Sequence, residues 1–411
     1  MKTLVWSSSA IPVTPDQRAA LRPVARDPEW YQRMLTSCER IAVWCDEFGY
    51  DGFGTTEHHF HTEGGESIPN NLLFYAKLAA LTKRIMFVPM SVVLSASDPI
   101  RTAENLALFD NMFPGRVGVA FARGYQTRWM QTLSQATGIS SSPMDPVSDA
   151  LNREIYDEYL EVVLKAWEKD SFNHSGPHYQ APFPSTGIAN WPAAPWTRRF
   201  GGPDEVDEQG TIHEIGVIPK PVRTPQVFIP TTSSRQTVID AAHRGHTLLM
   251  LVGDRERIVE VAKLYRDEAR EAGRILAPGE NIGVVAKIAV GDTFGEAFDL
   301  AVRTSGYFYQ NFFSNFGITQ MYRNSSDGPG MYQPADERAL TQRMIERGDL
   351  ICGTAEQVHE GLSELHELYG HGTLDWFVWE SFTQTLPDDE SGQIAHAQLK
   401  VVAQDILPKL R

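Results

Sequence analysis

The stretch Ile85-Met86-Phe87-Val88-Pro89-Met90-Ser91-Val92-Val93-Leu94 is nearly all apolar and too short for a core helix. It is the pattern of a strand covered on both faces, as in a parallel sheet layered with helices. Its flanks agree. Upstream, Leu72, Leu73, Ala76, Ala79 and Ala80 recur at helical spacing within residues 69–82. Downstream, Asp98-Pro99 opens a helix with a capping carboxylate and a first-turn proline, and the helix ends near Pro114-Gly115. A further strand runs from Val117 to Phe121.

Working outward, residues 51–59 read as a strand ending in Thr55-Thr56-Glu57-His58-His59. Residues 30–48 carry Tyr31, Met34, Leu35, Cys38, Ile41, Ala42, Cys45 and Phe48 on one helical stripe, stopped by Gly49. Residues 2–8 form the first strand. The second half repeats the alternation with longer connections. Strands are predicted at Val227–Ile229, Leu248–Val252, Ile282–Val290 and Leu374–Trp379, and helices at 234–245, 254–272, from Thr354 and at 391–408. Right-handed crossovers then give a (β/α)8 TIM barrel, with its eight strands and seven of its helices read from the pattern. An open doubly wound sheet would want a glycine fingerprint after the first strand, and there is none.

The 411 residues suit a single barrel domain, 1–411, enlarged by insertions at its C-terminal face near 134–147, 183–217 and 305–345. The last insertion holds Tyr307, Phe308, Tyr309, Phe312, Phe313 and Phe316, read either as core on an amphipathic helix or as shelter over a site. A formal net charge of −15 argues against nucleic acid or an anionic membrane surface as partner. No window reaches the apolar length of a membrane span, and Leu4–Trp6 is too brief for a signal-peptide core, so a cytoplasmic protein is expected. Cys38, Cys45 and Cys352 show neither disulfide nor metal spacing, and the first two read as buried thiols.

In a barrel the reactive groups stand where strands end. Those ends carry Glu57-His58-His59-Phe60-His61, Met90-Ser91, Arg123-Gly124-Tyr125, Thr231-Thr232-Ser233-Ser234, Met250-Leu251-Val252 and Trp379-Glu380-Ser381. They include no Gly-x-Ser-x-Gly elbow, no Gly-Lys-Ser phosphate loop and no carboxylate pair for sugar chemistry. His59-x-His61 could ligate zinc, but a closed site needs more ligands from other strand ends. His174, His178, His213, His359, His366 and His371 lie in loops or helices and Asp375 begins its strand, so no metal is expected. An imidazole titrates near cellular pH and suits a general base, which makes His58 and His59 the catalytic candidates beside a bland strand-end role. Arg123 reads as a phosphate ligand or as a loop arginine paired with a carboxylate. Gly124 beside it would let a ligand approach the backbone. The helix start at Ser233 and Ser234 offers free N–H groups to phosphate, although Ser233-x-x-Gln236 is also a plain capping box. The set suggests a cofactor with one phosphate and a large apolar head.

Several stretches, in order, are similar to the bacterial luciferase-like superfamily of flavin-dependent monooxygenases. They are Thr56-Glu57-His58-His59-Phe60, Leu78-Ala79-Ala80-Leu81-Thr82-Lys83-Arg84-Ile85, Asp98-Pro99-Ile100-Arg101-Thr102-Ala103-Glu104, Pro114-Gly115-Arg116-Val117 and Ala122-Arg123-Gly124-Tyr125. Later matches are Pro219-Lys220-Pro221-Val222, Ala241-Ala242-His243-Arg244-Gly245, Gly353-Thr354-Ala355-Glu356-Gln357-Val358 and Ile406-Leu407-Pro408. The resemblance implies a barrel that binds FMN as FMNH2 at its C-terminal face. It matches His58 to the catalytic base, with His59 beside it. Arg123, Tyr125, Ser233, Ser234 and Thr237 fall among the cofactor-binding positions, with Met250 and Leu251 lining the flavin ring. Met90-Ser91 falls where some members have a non-prolyl cis peptide against that ring. Where the luciferases carry a glutamate before the phosphate-binding serine, this chain has Ser233. The implied reaction takes FMNH2 from a separate reductase and O2, through a C4a-hydroperoxide, to hydroxylate a small organic substrate or insert oxygen by Baeyer–Villiger chemistry. A homodimer built on helices two and three is implied as well. Relatives of the same fold use deazaflavin F420 for hydride transfer, and non-catalytic flavin-binding relatives form the other alternative.

Overall fold

A computed structural model describes residues 1–139, 145–232, 234–251, 255–324, 326–328, 330–370 and 374–410. The strands are β1 (Lys2–Ser7), β2 (Gly52–Thr55), β3 (Met86–Phe87), β4 (Met90–Val93), β5 (Gly118–Ala122), β6 (His174–Ser175), β7 (Gln180–Ala181), β8 (Gln226–Thr231), β9 (Thr247–Met250), β10 (Ile282–Val290), β11 (Leu350–Gly353) and β12 (Trp376–Ser381). The main sheet runs β3-β2-β1-β12-β10-β9-β8-β5-β4, with β11 added on β10.

The predicted strand 85–94 is present but broken into β3 and β4. Pro89, which has no N–H to give a ladder, lies at the break. Hydrogen bonds continue around it: Val88 N donates to Phe53 O at 2.9 Å, and Ala120 N donates to Pro89 O at 3.0 Å. The two pieces are thus one strand, and both ends of the path meet in it. Eight strands in sequential order follow, the topology of a (β/α)8 barrel.

Contacts divide the chain into two compact units. The first comprises Met1–Ser91, Gly118–Ala120 and Gln226–Arg411. Its interior gathers Leu4, Val88, Met90, Ala120, Phe228, Leu249, Val285, Trp376 and Val378. Strand β2 contributes glycine here. A Cβ on Gly54 would come within 2.5 Å of Val88 O and 2.7 Å of Met90 Cγ, so the missing side chain makes room for the neighbours. Outside the sheet, the helix Pro28–Phe48 is capped by Asp27, ends on left-handed Gly49, and buries Met34, Cys38, Ile41, Ala42 and Cys45. Cys38 and Cys45 are buried free thiols, as their spacing predicts, and burial pushes the Cys38 thiol up to about 12. The helix after β11 starts with a reciprocal capping box: Thr354 N donates to Gln357 Oε1 at 2.9 Å, and Gln357 N donates to Thr354 Oγ1 at 3.4 Å.

The second unit comprises Val92–Val117 and Phe121–Pro225. Helix Pro99–Met112, capped by Asp98 as predicted, packs on a long helix, Pro146–Glu168, that the sequence pattern had not revealed. Trp167 Nε1 donates to Ala103 O between them at 3.1 Å. The expected insertion at 134–147 lies partly outside the described residues. That at 183–217 holds a short helix, Ala194–Phe200, and bridges joining Ile188 and Val206 to Ile212. The one at 305–345, back in the first unit, is helical over most of its length. No helix among the described residues is long and apolar enough to cross a membrane.

Candidate active site

Strand β2 stops at Thr55, four residues before the predicted end. Beyond it the backbone bonds to its own loop: His58 N donates to Ile68 O at 3.0 Å. The loop reverses at Phe60, whose φ of 63° is left-handed and unusual for an aromatic residue. That reversal returns His61 onto His58, ring on ring, with centroids 4.7 Å apart and planes at 25°. Glu66, only 2% exposed, closes the group. Its Oε2 lies 2.9 Å from His58 Nε2, and its Oε1 accepts from Thr56 Oγ1 at 2.9 Å. Burial pushes the Glu66 carboxyl up, but His58, His61 and Thr56 outweigh it and hold the group below its ordinary range. Metal-ligating atoms of His58, His61 and Glu66 all lie within 4.8 Å of one another. This is not the set that sequence spacing considered for a metal. His59 faces Glu57 instead, at 3.2 Å.

The aromatic insertion is core over part of its length. Phe308, Tyr309 and Phe313 are buried and cluster with Phe382. Phe312 stands edge-on to His61 at 5.3 Å. Where β4 begins, the Met90–Ser91 peptide is cis, as the resemblance implies, and Met90 sits in the barrel interior. Leu249 packs in the interior and Leu251 beside it, so the alternation of a strand turns buried Met250 to the other face of β9.

At the end of β8, Thr231 Oγ1 is buried without a hydrogen-bond partner. The helix that follows, Arg235–Arg244, is capped by Ser234, whose side chain accepts from Thr237 N. The Gln236 amide donates to Asp240 Oδ1 at 2.9 Å, and the capping box expected with Ser233 falls outside the described residues. Ser233 lies outside the described residues. In the second unit, Arg123 has the carboxylate partner of its bland alternative, with Nη1 2.8 Å from Asp149 Oδ1. Burial lowers the Arg123 pKa and nearby Arg153 adds to it, against the pull of Asp149. Tyr125 OH accepts from Gln126 Nε2 at 3.1 Å. The space beside Gly124 is not open to a ligand. A Cβ there would meet Met130 Sδ at 2.3 Å and Val93 Cγ1 at 2.5 Å, and its φ of +71° favours glycine in any case.

A second polar cluster was not expected. Lys287, 1% exposed in the centre of apolar β10, reaches Asp349 Oδ2 at 2.6 Å and Glu380 Oε2 at 2.8 Å. Tyr322 OH donates to Asp349 Oδ2 at 2.5 Å and Tyr309 OH to Glu380 Oε2 at 3.0 Å. Burial holds the Glu380 carboxyl above its ordinary range, with Lys287 working against it. For Lys287 itself, the two carboxylates overcome burial and hold the ammonium protonated. A lone lysine inside Ile282–Val290 was the visible signal, but its partners are far away in sequence.

With this geometry in hand, the relatives are informative. Residues 13–372 match the family described as luciferase-like monooxygenase. The chain belongs to that family. The 3,6-diketocamphane 1,6-monooxygenase of Pseudomonas putida is 22% identical over 381 residues, covering 90% of this chain and 92% of that one. An uncharacterized Sinorhizobium fredii protein, y4wF, is 27% identical over 161 residues, spanning 36% of this chain and only 43% of its own. Among solved structures, the oxygenating constituent of 3,6-diketocamphane monooxygenase from P. putida, a type II Baeyer–Villiger monooxygenase in complex with FMN, gives a TM-score of 0.69 at 19% identity. That match covers 100% of this chain and 98% of the other. An F420-dependent secondary alcohol dehydrogenase shares the fold at TM-score 0.61 and 14% identity, covering 100% and 99%. The monooxygenase relatives make this chain an oxidoreductase by family.

Proposed function

We propose that this protein is a flavin-dependent monooxygenase that receives FMNH2 from a separate reductase and uses O2 to oxygenate a small, mainly apolar organic molecule. The observation that carries the reading is His58, held against buried Glu66 just past the end of β2, where a barrel presents its reactive groups. The family's monooxygenase relatives, one of them solved with FMN, support the choice of cofactor.

The residues fit such a group in two respects. Thr231 Oγ1 is a buried hydroxyl in want of a partner, and it stands shortly before a helix start whose N–H groups suit a phosphate. Thr231, Ser234 and Thr237 would hold the phosphate there, and Met90, Ser91 and Leu251 would meet the ring. Arg123, paired with Asp149 in the second unit, is proposed as a cofactor-binding residue in its own right. When bound, reduced FMN supplies two electrons to O2, one oxygen atom going to product and the other to water. His58 accepts a proton from the substrate or its adduct and returns it on product release. Phe312 and its aromatic neighbours exclude water beside His61. A homodimer through the helix Asn71–Leu81 and its neighbour belongs to the same proposal; Leu73, at 76% exposed, is its apolar contact.

Anaerobic fluorescence titration with FMNH2 and with reduced F420, followed by O2 uptake with 3,6-diketocamphane and a panel of cyclic ketones, tests the reading. FMNH2 binding with substrate-stimulated O2 uptake is expected. Tight F420 binding without O2 uptake would replace it with hydride transfer, and flavin binding with no uptake on any substrate would favour a non-catalytic relative.

A further inference from the structure

We propose that His58, His61 and Glu66 form a binding site for a divalent first-row transition metal, beside the end of β2. Two imidazoles and one carboxylate are the donor set of a facial triad, which leaves other coordination positions open. All three residues are buried: His58 is 8% exposed, His61 4% and Glu66 2%. Their ligating atoms converge within 4.8 Å.

The second observation is the way Glu66 meets His58. Oε2 lies 2.9 Å from Nε2, yet this buried oxygen has no aligned hydrogen-bond donor. A close approach off the hydrogen-bond line is poor geometry for a hydrogen bond. It is good geometry for two ligands of one ion. Nitrogen and oxygen ligands sit about 2.0–2.2 Å from such a metal, and two of them at a right angle lie about 2.8–3.1 Å apart. The other carboxylate oxygen is oriented by Thr56 at 2.9 Å, the outer support that a ligating carboxylate usually has. Phe60, turned into the left-handed region, is what brings His61 to the cluster.

The inference goes beyond the proposed oxygenation and rests on it in one clause only: occupancy would take the His58 lone pair, so metal and proton would compete for the base. Binding itself needs no flavin. Calorimetric titration of the full-length, chelator-treated protein with Zn2+, and with Co2+ read by its visible ligand-field absorption, is therefore the test. One ion per chain is expected, with a Kd of about 1 μM or tighter. Glu66→Gln and His61→Gln should each weaken binding about tenfold or more, as loss of a metal contact does. Circular dichroism would establish that both variants are folded. His213→Gln, at an exposed histidine paired with Asp207, is the control and should leave binding unchanged. Absence of binding overturns the proposal, and so does binding that survives both substitutions or is lost in the control. Failure of the FMNH2 titration would instead count against the monooxygenase reading alone.

Discussion

His58 and Arg123 carry the cofactor proposal at the scale of single residues, and their substitutions should separate chemistry from binding. His58→Ala is expected to retain FMNH2 affinity and lose substrate-stimulated O2 uptake; unchanged turnover would remove the histidine from the reaction. Arg123→Ala should raise the FMNH2 dissociation constant about tenfold or more, the worth of one charge-assisted phosphate contact. An unaltered constant would leave Arg123 as the partner of Asp149 and nothing else. His246 makes a different, pH-linked contribution. Burial, with Arg244 and Arg274 nearby, lowers its pKa to about 4 from an ordinary 6.5. The unfolded chain therefore takes a proton below about 6.5 that the folded chain refuses until about 4. Stability falls as pH drops through that window, by about 2 kcal/mol at about pH 5. Denaturant midpoints of wild type and His246→Gln, compared at neutral pH and about pH 5, should show the variant losing less on acidification.

Elements show where periodicity speaks and where it is silent. The apolar run at 85–94 is legible as a buried strand because both its faces are covered, whereas the break at Pro89 follows from a missing N–H. The helix at Pro28–Phe48 declares itself by its stripe, its Asp27 cap and its Gly49 stop. Strand β10 is legible too, but the reason for Lys287 inside it is not. The lysine ties β10 to β12 and to the helical segment bearing Tyr309 and Tyr322. Lys287→Met leaves Asp349 and Glu380 facing each other without their cation, and should destabilise the fold by about 3–5 kcal/mol. Hydrogen exchange in the segment 302–322 should rise as well. A variant with wild-type thermal stability would show that the cluster contributes no net energy.

For the whole molecule, the proposed association can be tested directly. Leu73→Glu puts a charge on the exposed side of helix Asn71–Leu81, and light scattering should find a dimer converted to monomer. A monomeric wild type would remove that part of the proposal. The sequence by itself determined the alternation of strands and helices, and with it the barrel topology, because burial of strands and helix faces writes a period into neighbouring residues. It also placed His58 and His59 near the end of a strand, which is a local property. Only the tertiary structure showed their partners, Glu66 for His58 and Glu57 for His59. Only the pleat of β9 showed that Leu251, rather than Met250, lies on the interior side. The same holds for Lys287 with Asp349 and Glu380, 62 and 93 positions away. Partnerships of buried polar groups are chosen by which loops and strands meet in space, and no local period records that choice.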